Sequence, residues 1–274
     1  MEFITIKVEC STEFSDILIA ELFEIGFDSF QEFENGFEGS CDQTQFSQEA
    51  LKSILKNYPK ANWSIMEQEK INWNEEWEKN YDPITVDDKC LVRATFHIPE
   101  KDYEYEIVVN PKMSFGTGHH ATTYQMLAFQ MRLDHLNKKV LDVGSGTGIL
   151  AIMAAKRGAT SITASDIDDW CIENSKENFS LNQIESINLF KGQIDVINER
   201  DFDIVIANIN KNVLLDQMEA YASRLKNGGT LLLSGFYADD VDDLLNKARI
   251  FGLVKEEQTT RDNWALLALT KQFI

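Results

Sequence analysis

The chain has 274 residues, a formal net charge of −19 and a hydrophobic content of 43%. That length fits one large domain or two of ordinary size; no apolar run reaches the length of a membrane span, and nothing at the start reads as a signal peptide. The acidity repels phosphate backbones, which argues against nucleic acid as a direct substrate, and it steers in a basic partner. Cys10, Cys41, Cys90 and Cys171 are scattered without a C-x-x-C pair, the usage expected of a reduced, cytoplasmic protein.

Residues 1–70 read as a small unit of their own. Phe3 to Val8 alternates like a strand. Ser11 or Thr12 caps a helix that carries Phe14, Ile17, Leu18, Leu22 and Phe23 at helical spacing and stops near Gly26. Phe27–Phe33 and Phe37–Cys41 flank Asn35-Gly36, a hairpin signal. Ser47 opens a second helix with Leu51, Ile54, Leu55 and Tyr58, halted by Pro59, and Trp63 to Glu69 is a last strand. The order β-α-β-β-α-β is ferredoxin-like. This unit holds no catalytic set, so its expected role is to bind a partner, with a purely structural role as the alternative. Residues 71–85 are expected to form a Trp-rich linker and hinge. Trp73, Trp77 and Tyr81 are spaced four apart, which puts aromatic rings on one helical face, and Pro83 ends the stretch.

Residues 86–274 are expected to form the catalytic domain. Leu91–Ile98 and Tyr103–Val109 alternate as strands. The loop Pro111–Thr123, rich in glycine and hydroxyls, leads into a helix from about Thr122 to Leu133 and is placed to fold over a ligand. His119 and His120 adjoin, but no spaced His or Cys set follows, so no metal site is expected; acid–base work by a histidine stays open. Next comes Val140-Leu141-Asp142-Val143-Gly144-Ser145-Gly146-Thr147-Gly148-Ile149-Leu150. It is an apolar strand, a turn of alternating glycines and an apolar helix, the opening of a nucleotide-binding βαβ unit. The third glycine of a dinucleotide G-x-G-x-x-G fingerprint is replaced by Ile149. The G-x-G-x-G form resembles the first motif of class I methyltransferases that use S-adenosylmethionine, a likeness that implies a glycine backbone passing close to the methionine part of the cofactor.

Ser161–Asp166 reads as the next strand and ends on an acid suited to accept from both ribose hydroxyls; the alternative is that Asp166 caps the helix beginning near Asp168. That helix runs to Asn182. Ile187–Phe190 and Phe202–Ile209 are further strands, Leu214–Lys226 is a helix closed by Asn227-Gly228-Gly229, and Thr230–Ser234 is a strand. Asp239–Gly252 is a helix, and Leu253–Glu257 with Trp264–Thr270 closes the sheet as an antiparallel pair. The alternation predicts an α/β, doubly wound domain, which the likeness of the glycine turn marks as a class I methyltransferase domain, preceded by the small ferredoxin-like α+β domain. Gly144, Asp166 and Asn208 all fall at strand C-termini, where such sheets bind ligands.

Phe115-Gly116-Thr117-Gly118-His119-His120-Ala121-Thr122-Thr123, the turn at Gly144, Asp166 and Ala207-Asn208-Ile209 together resemble the bacterial methyltransferases of ribosomal large-subunit protein eleven. The likeness extends to the Trp-rich junction and the small unit. It implies an enzyme that binds S-adenosylmethionine and methylates lysine side chains and the N-terminal amine of that ribosomal protein, recognised by the small domain. It implies cofactor contacts at Thr123, Gly144, Asp166 and Asn208. Ala121 departs from the proline usual in the family after the histidine. After Asn208 come Ile209-Asn210-Lys211, in place of the Asn-Pro-Pro-Tyr that stacks planar amide or adenine acceptors, which suits an aliphatic amine. The alternatives are a small-metabolite methyltransferase and a non-catalytic adaptor for a basic protein. The oligomeric state is open, with a monomer favoured.

Overall fold

The computed structural model describes residues 3–66, 81–111, 116, 118–185 and 187–272. The Trp73 and Trp77 stretch of the expected linker lies outside the described residues, as do residues 112–115 and 117 of the loop before the first catalytic-domain helix. The chain divides into two compact units, Met1–Asn80 and Tyr81–Ile274.

The first unit is β1 (Phe3–Glu9), α1 (Thr12–Phe23), β2 (Ser29–Phe33), β3 (Gly36–Asp42), α2 (Gln48–Leu55) and β4 (Asn62–Met66). The antiparallel sheet has the order β2-β3-β1-β4, so the two helices return the chain to the same sheet face. Its core is Ile6, Val8, Leu18, Leu22, Phe27, Phe37 and Leu51. Gly36 is required at the hairpin: a Cβ there would lie 2.0 Å from the Val8 carbonyl oxygen. The Ser47 hydroxyl caps α2 by accepting from the Ala50 amide at 3.3 Å. α1 buries less than its sequence pattern predicts. Leu18 and Leu22 are fully buried, whereas Phe14, Ile17 and Phe23 are 38%, 49% and 62% exposed.

The second unit opens with a three-stranded sheet, β5 (Ile84–Val86), β6 (Cys90–Arg93) and β7 (Tyr105–Val108), in which β6 and β7 are parallel. α3 (Ala121–Arg132) follows. The main body is β8 (Lys139–Val143), α4 (Ile149–Lys156), β9 (Ser161–Asp166), α5 (Asp169–Leu181), β10 (Ile187–Lys191), β11 (Phe202–Asn208), α6 (Lys211–Arg224), β12 (Leu225–Tyr237), α7 (Val241–Ile250), β13 (Leu253–Arg261) and β14 (Trp264–Lys271). The seven strands lie in the order β10-β9-β8-β11-β12-β14-β13. β8 to β12 are parallel and β14 is antiparallel to both its neighbours. Period-2 alternation divides the strands between two cores. Val140, Ile204, Ile206 and Leu232 join one with α3 and α4 residues, and Leu141, Val205, Ala207, Leu231 and Leu233 join the other with α6 and α7 residues.

Several boundaries differ from the sequence reading: the strand expected over Leu91–Ile98 stops at Arg93, the one expected over Leu253–Glu257 runs to Arg261, and the end of α6 moves. Helix α6 stops at Arg224, and β12 begins at Leu225, ahead of the Asn227-Gly228-Gly229 expected to end the helix. Leu225 pairs with Phe202 at the start of β11, and the register then shifts before Thr230. A Cβ at Gly229 would come within 2.9 Å of the Lys226 carbonyl oxygen and 3.1 Å of the Asp203 carbonyl oxygen. The glycines therefore serve an irregular strand edge.

Candidate active site

The turn between β8 and α4 takes positive φ at Gly144, Gly146 and Gly148 (73°, 55° and 78°), which glycine adopts without steric cost. Its amides are fixed from the neighbouring strand. Those of Gly144 and Ser145 both donate to the Ser165 carbonyl oxygen, at 2.8 and 3.0 Å. The Gly146 amide donates to Asp166 Oδ2 at 2.8 Å, and the Asp168 amide to Oδ1 at 3.1 Å. Each Asp166 oxygen thus holds one amide and keeps acceptor capacity for another donor. The capping role weighed for Asp166 falls instead to Asp168, whose Oδ1 accepts from the Trp170 amide at 2.9 Å.

A polar face of α5 holds the same turn from outside. Ser175 Oγ donates to the Gly146 carbonyl oxygen at 2.8 Å, and Asn178 Nδ2 to that of Thr147 at 2.9 Å. Asn178 Oδ1 accepts from the Asn110 amide at 2.8 Å, and Asn182 exchanges bonds with both backbone groups of Val108. Asn174, Asn178 and Asn182 are four apart, so they stand on one helical face. That spacing is readable in the sequence, but asparagines on a helix read as a solvated surface; Asn174 and Asn178 are in fact buried.

Beneath the turn, Asp142 is fully buried. Burial pushes its carboxyl up to about 7; the Asp166 charge adds to this, and the Ala151 amide in the first turn of α4 opposes it.

At the carboxyl edge of the sheet these elements enclose a cavity of about 480 Å³. Gly144, Gly146, Asp166 and Asn208 line it, with Ile167, Trp264 and others. Asn208 is 8% exposed, and its Oδ1 has no partner among the described residues. Asn210 caps α6 through Oδ1, accepting from the Val213 amide at 3.2 Å. His120 caps α3: its Nδ1 accepts from the Thr122 amide at 3.3 Å.

A profile of the ribosomal protein L11 methyltransferase (PrmA) family matches residues 14–272. The ribosomal protein L11 methyltransferase of Porphyromonas gingivalis is 48% identical over 261 residues, 93% of this chain and 90% of that protein. That of Phocaeicola vulgatus is 43% identical over 262 residues, 93% of each. The chain belongs to the ribosomal protein L11 methyltransferase family. A solved ribosomal protein L11 methylase from Lactobacillus delbrueckii subsp. bulgaricus superposes with a TM-score of 0.66 at 28% identity, covering 70% of this chain and all of that one. A methyltransferase from Pyrococcus furiosus, 17% identical with a TM-score of 0.53 over 61% of this chain and 90% of that one, shares the fold.

The cofactor of this L11 methyltransferase family member is S-adenosylmethionine, and the residues present fit it. Asp166 offers oriented acceptors at the cavity wall, the glycine turn leaves backbone room, and the exposed Ile167 beside Asp166 gives an apolar surface for a base. Asn208 Oδ1, a buried oxygen without a partner among the described residues, remains at the cavity wall for a further polar group. Of the four residues expected from the sequence, Gly144, Asp166 and Asn208 meet on one cavity. Thr123 is completely buried and is not among the cavity's lining residues; its neighbour Thr122 is. Gly146, Gly192, Gln193 and Trp264 line the cavity and were not singled out from the sequence. Gly192 carried a signal, since it directly follows the third parallel strand, and its amide donates to the Asp166 carbonyl oxygen at 2.8 Å.

Proposed function

We propose that this chain transfers methyl groups from S-adenosylmethionine to lysine side-chain and N-terminal amines of ribosomal protein L11. The observation that carries this reading is one cavity in which an oriented acid, Asp166, and an amide oxygen without a partner among the described residues, Asn208 Oδ1, stand at the ends of the two parallel strands that flank β8, in a chain of this family. When bound, the cofactor supplies a methyl on a positively charged sulfur, and transfer forms an N–C bond as the C–S bond breaks. Asp166 accepts from the ribose hydroxyls while its two amide bonds keep it in place. Thr123, Gly144 and Asn208 contact the cofactor in the same reading. The acceptor amine must arrive neutral. An α-amine, with a pKa of about 7.7–8.0, is nearer to this than a lysine at about 10.4. A dry, apolar surround lowers both, and the nitrogen's proton leaves to water. Alignment of nitrogen, methyl and sulfur is the main contribution of the site.

The small unit is proposed to recognise L11, with the Trp-rich stretch 71–85 as linker. Residues 1–70 carry fourteen acids against five bases, and α1 presents Phe14, Ile17 and Phe23 to solvent; both suit docking of a basic protein. Docking raises the effective concentration of the amine at the catalytic site. The protein is proposed to act in the cytoplasm, as a monomer. Truncation tests the reading: residues 81–274 alone should keep their cofactor affinity by calorimetry, while methylation of unmodified L11, followed by intact mass, collapses. Full methylation of L11 by the truncated enzyme would remove the recognition role and shift support to a small-metabolite substrate.

A further inference from the structure

Thr147 is fully buried and is not among the cavity's lining residues. Its hydroxyl and its carbonyl nevertheless tie the cofactor turn to the stretch that precedes α3. Oγ1 donates to the Gly116 carbonyl oxygen at 2.6 Å. The Thr147 carbonyl oxygen accepts from Asn178 Nδ2 at 2.9 Å, and Asn178 Oδ1 accepts from the Asn110 amide at 2.8 Å. The chain itself leads from Asn110 back to Gly116, so the turn, α5 and this stretch close a ring of bonds. Asn178 is also fully buried and outside the lining. The approach at Gly116 needs a glycine: its φ is 102°, and a Cβ there would lie 2.9 Å from Thr147 Oγ1.

The ring joins two sides of the cavity. Gly144 and Gly146 line it from the turn, and His120 and Thr122 line it from the start of α3, just beyond the stretch held at Gly116. We propose that Thr147, held in turn by Asn178, is a positioning residue that sets the spacing of these two walls and with it the affinity for S-adenosylmethionine. This rests on the cofactor assignment and not on the identity of the acceptor. A site whose walls are preset has less to order when the cofactor arrives. With the ring open, the walls are correctly spaced for only part of the time, and the apparent dissociation constant rises by the inverse of that fraction. Turnover at saturating cofactor is spared, because the molecules that hold cofactor are those with both walls in place. The signature is a loss of affinity with little change in kcat. A purely structural hydroxyl would instead lower the melting temperature and leave both constants unchanged.

Thr147→Val removes the hydroxyl at nearly constant volume, and Thr147→Ser keeps it. Calorimetric titration of the full chain with S-adenosylmethionine, on variants that circular dichroism shows to be folded, should find T147V weaker by about 2- to 12-fold, the range for one neutral hydrogen bond. T147S should bind like the wild type. In initial rates on L11, the KM for the cofactor should rise by the same factor in T147V, with kcat within about twofold of wild type. Asn178→Ala opens the same ring at another point, so T147V/N178A should bind little more weakly than N178A alone. If N178A does not fold, the comparison of T147V with T147S decides. Wild-type affinity in folded T147V would overturn the proposal, as would a loss that T147S shares, a fall in kcat with affinity intact, or losses that multiply in the double variant. A wild type that methylates no amine of L11 would sink the substrate reading, while the titrations still decide the role of Thr147.

Discussion

Around the β8–α4 turn the backbone is tied on every side. The amides of Gly144, Ser145 and Gly146 go to β9, and the carbonyls of Gly146 and Thr147 go to α5. One strand along, around Asn208, the cavity wall is made of side chains with open valences: an amide oxygen without a partner among the described residues, and an indole. In the proposed reading the first half meets a cofactor whose shape never varies, so its geometry can be fixed in advance by main chain. In the same reading the second meets the protein substrate, so it offers a few side-chain groups and leaves the rest to the substrate. Preorganisation of this kind lowers the ordering cost of binding.

The largest effect should come from breaking the tied half. Gly144→Val adds a Cβ that would sit 2.3 Å from Ile209 Cγ2, at a backbone φ of 73° that a β-branched residue avoids. The clash is internal to the protein as well as with the cofactor, and it pushes on the residue that follows Asn208. Calorimetry should detect no cofactor binding, and circular dichroism should show whether the fold survives. A folded Gly144→Val protein with normal cofactor affinity would refute the assignment of the turn.

Asp142 tests how much the tied half costs. Its carboxyl is raised to about 7 in the folded protein from an ordinary value near 3.8, so the folded state binds more protons than the unfolded chain between those values. Its contribution to stability is full below about pH 4 and is lost as pH rises through 7, a change on the order of 4 kcal/mol. His135 acts in the opposite sense near neutrality, because burial lowers its pKa. The comparison with Asp142→Asn isolates the acid. Urea unfolding at pH 5 and pH 8 should show the wild type losing stability relative to D142N at the higher pH. A constant difference between the two proteins would mean that Asp142 does not titrate in this range.

What was legible in the sequence follows the same division. Parallel strands put their last residues on the ligand edge, so Gly144, Asp166 and Asn208 could be placed by finding where each apolar run stops. Trp264 could not, because an antiparallel strand delivers its first residue to that edge, and which end faces the cavity depends on the pairing with β12. The buried Asn174 and Asn178 were hidden for another reason: polar residues on a helix look solvated until the turn they bind is known. In the small unit, helical spacing placed five apolar side chains on α1 without telling which of them the sheet covers; of these, only Leu18 and Leu22 are fully buried.

Asp166→Ala should weaken cofactor binding by about 1.5–3 kcal/mol, the range for a hydrogen bond to a charged group, or roughly 10- to 150-fold. The structure adds a second expectation. The Gly146 and Asp168 amides would lose their acceptor, so the melting temperature should fall as well. Asp166→Asn keeps one oxygen and should recover part of the stability, while staying weak for the cofactor. Calorimetric titration giving wild-type affinity for D166A would remove Asp166 from the site.

The smallest change in stability is expected on the open side. Asn208→Ala removes an amide oxygen that is bound to nothing among the described residues and faces a cavity. An unpartnered buried acceptor costs folding energy, so its loss should leave stability within about 0.5 kcal/mol of wild type. Function should respond differently. If Asn208 contacts the cofactor, affinity falls by the worth of a neutral hydrogen bond, about 0.5–1.5 kcal/mol, or roughly 2- to 12-fold. If it also orients the incoming amine, turnover falls further than affinity does, because part of the interaction is made only in the transition state. Denaturant unfolding, calorimetry and initial rates on L11 separate these terms. A variant that loses several kcal/mol of stability would show that Asn208 belongs to the tied half and that the contrast between the two halves is misdrawn. A variant with wild-type affinity and turnover would leave Asn208 as a strand-end residue with no part in the reaction.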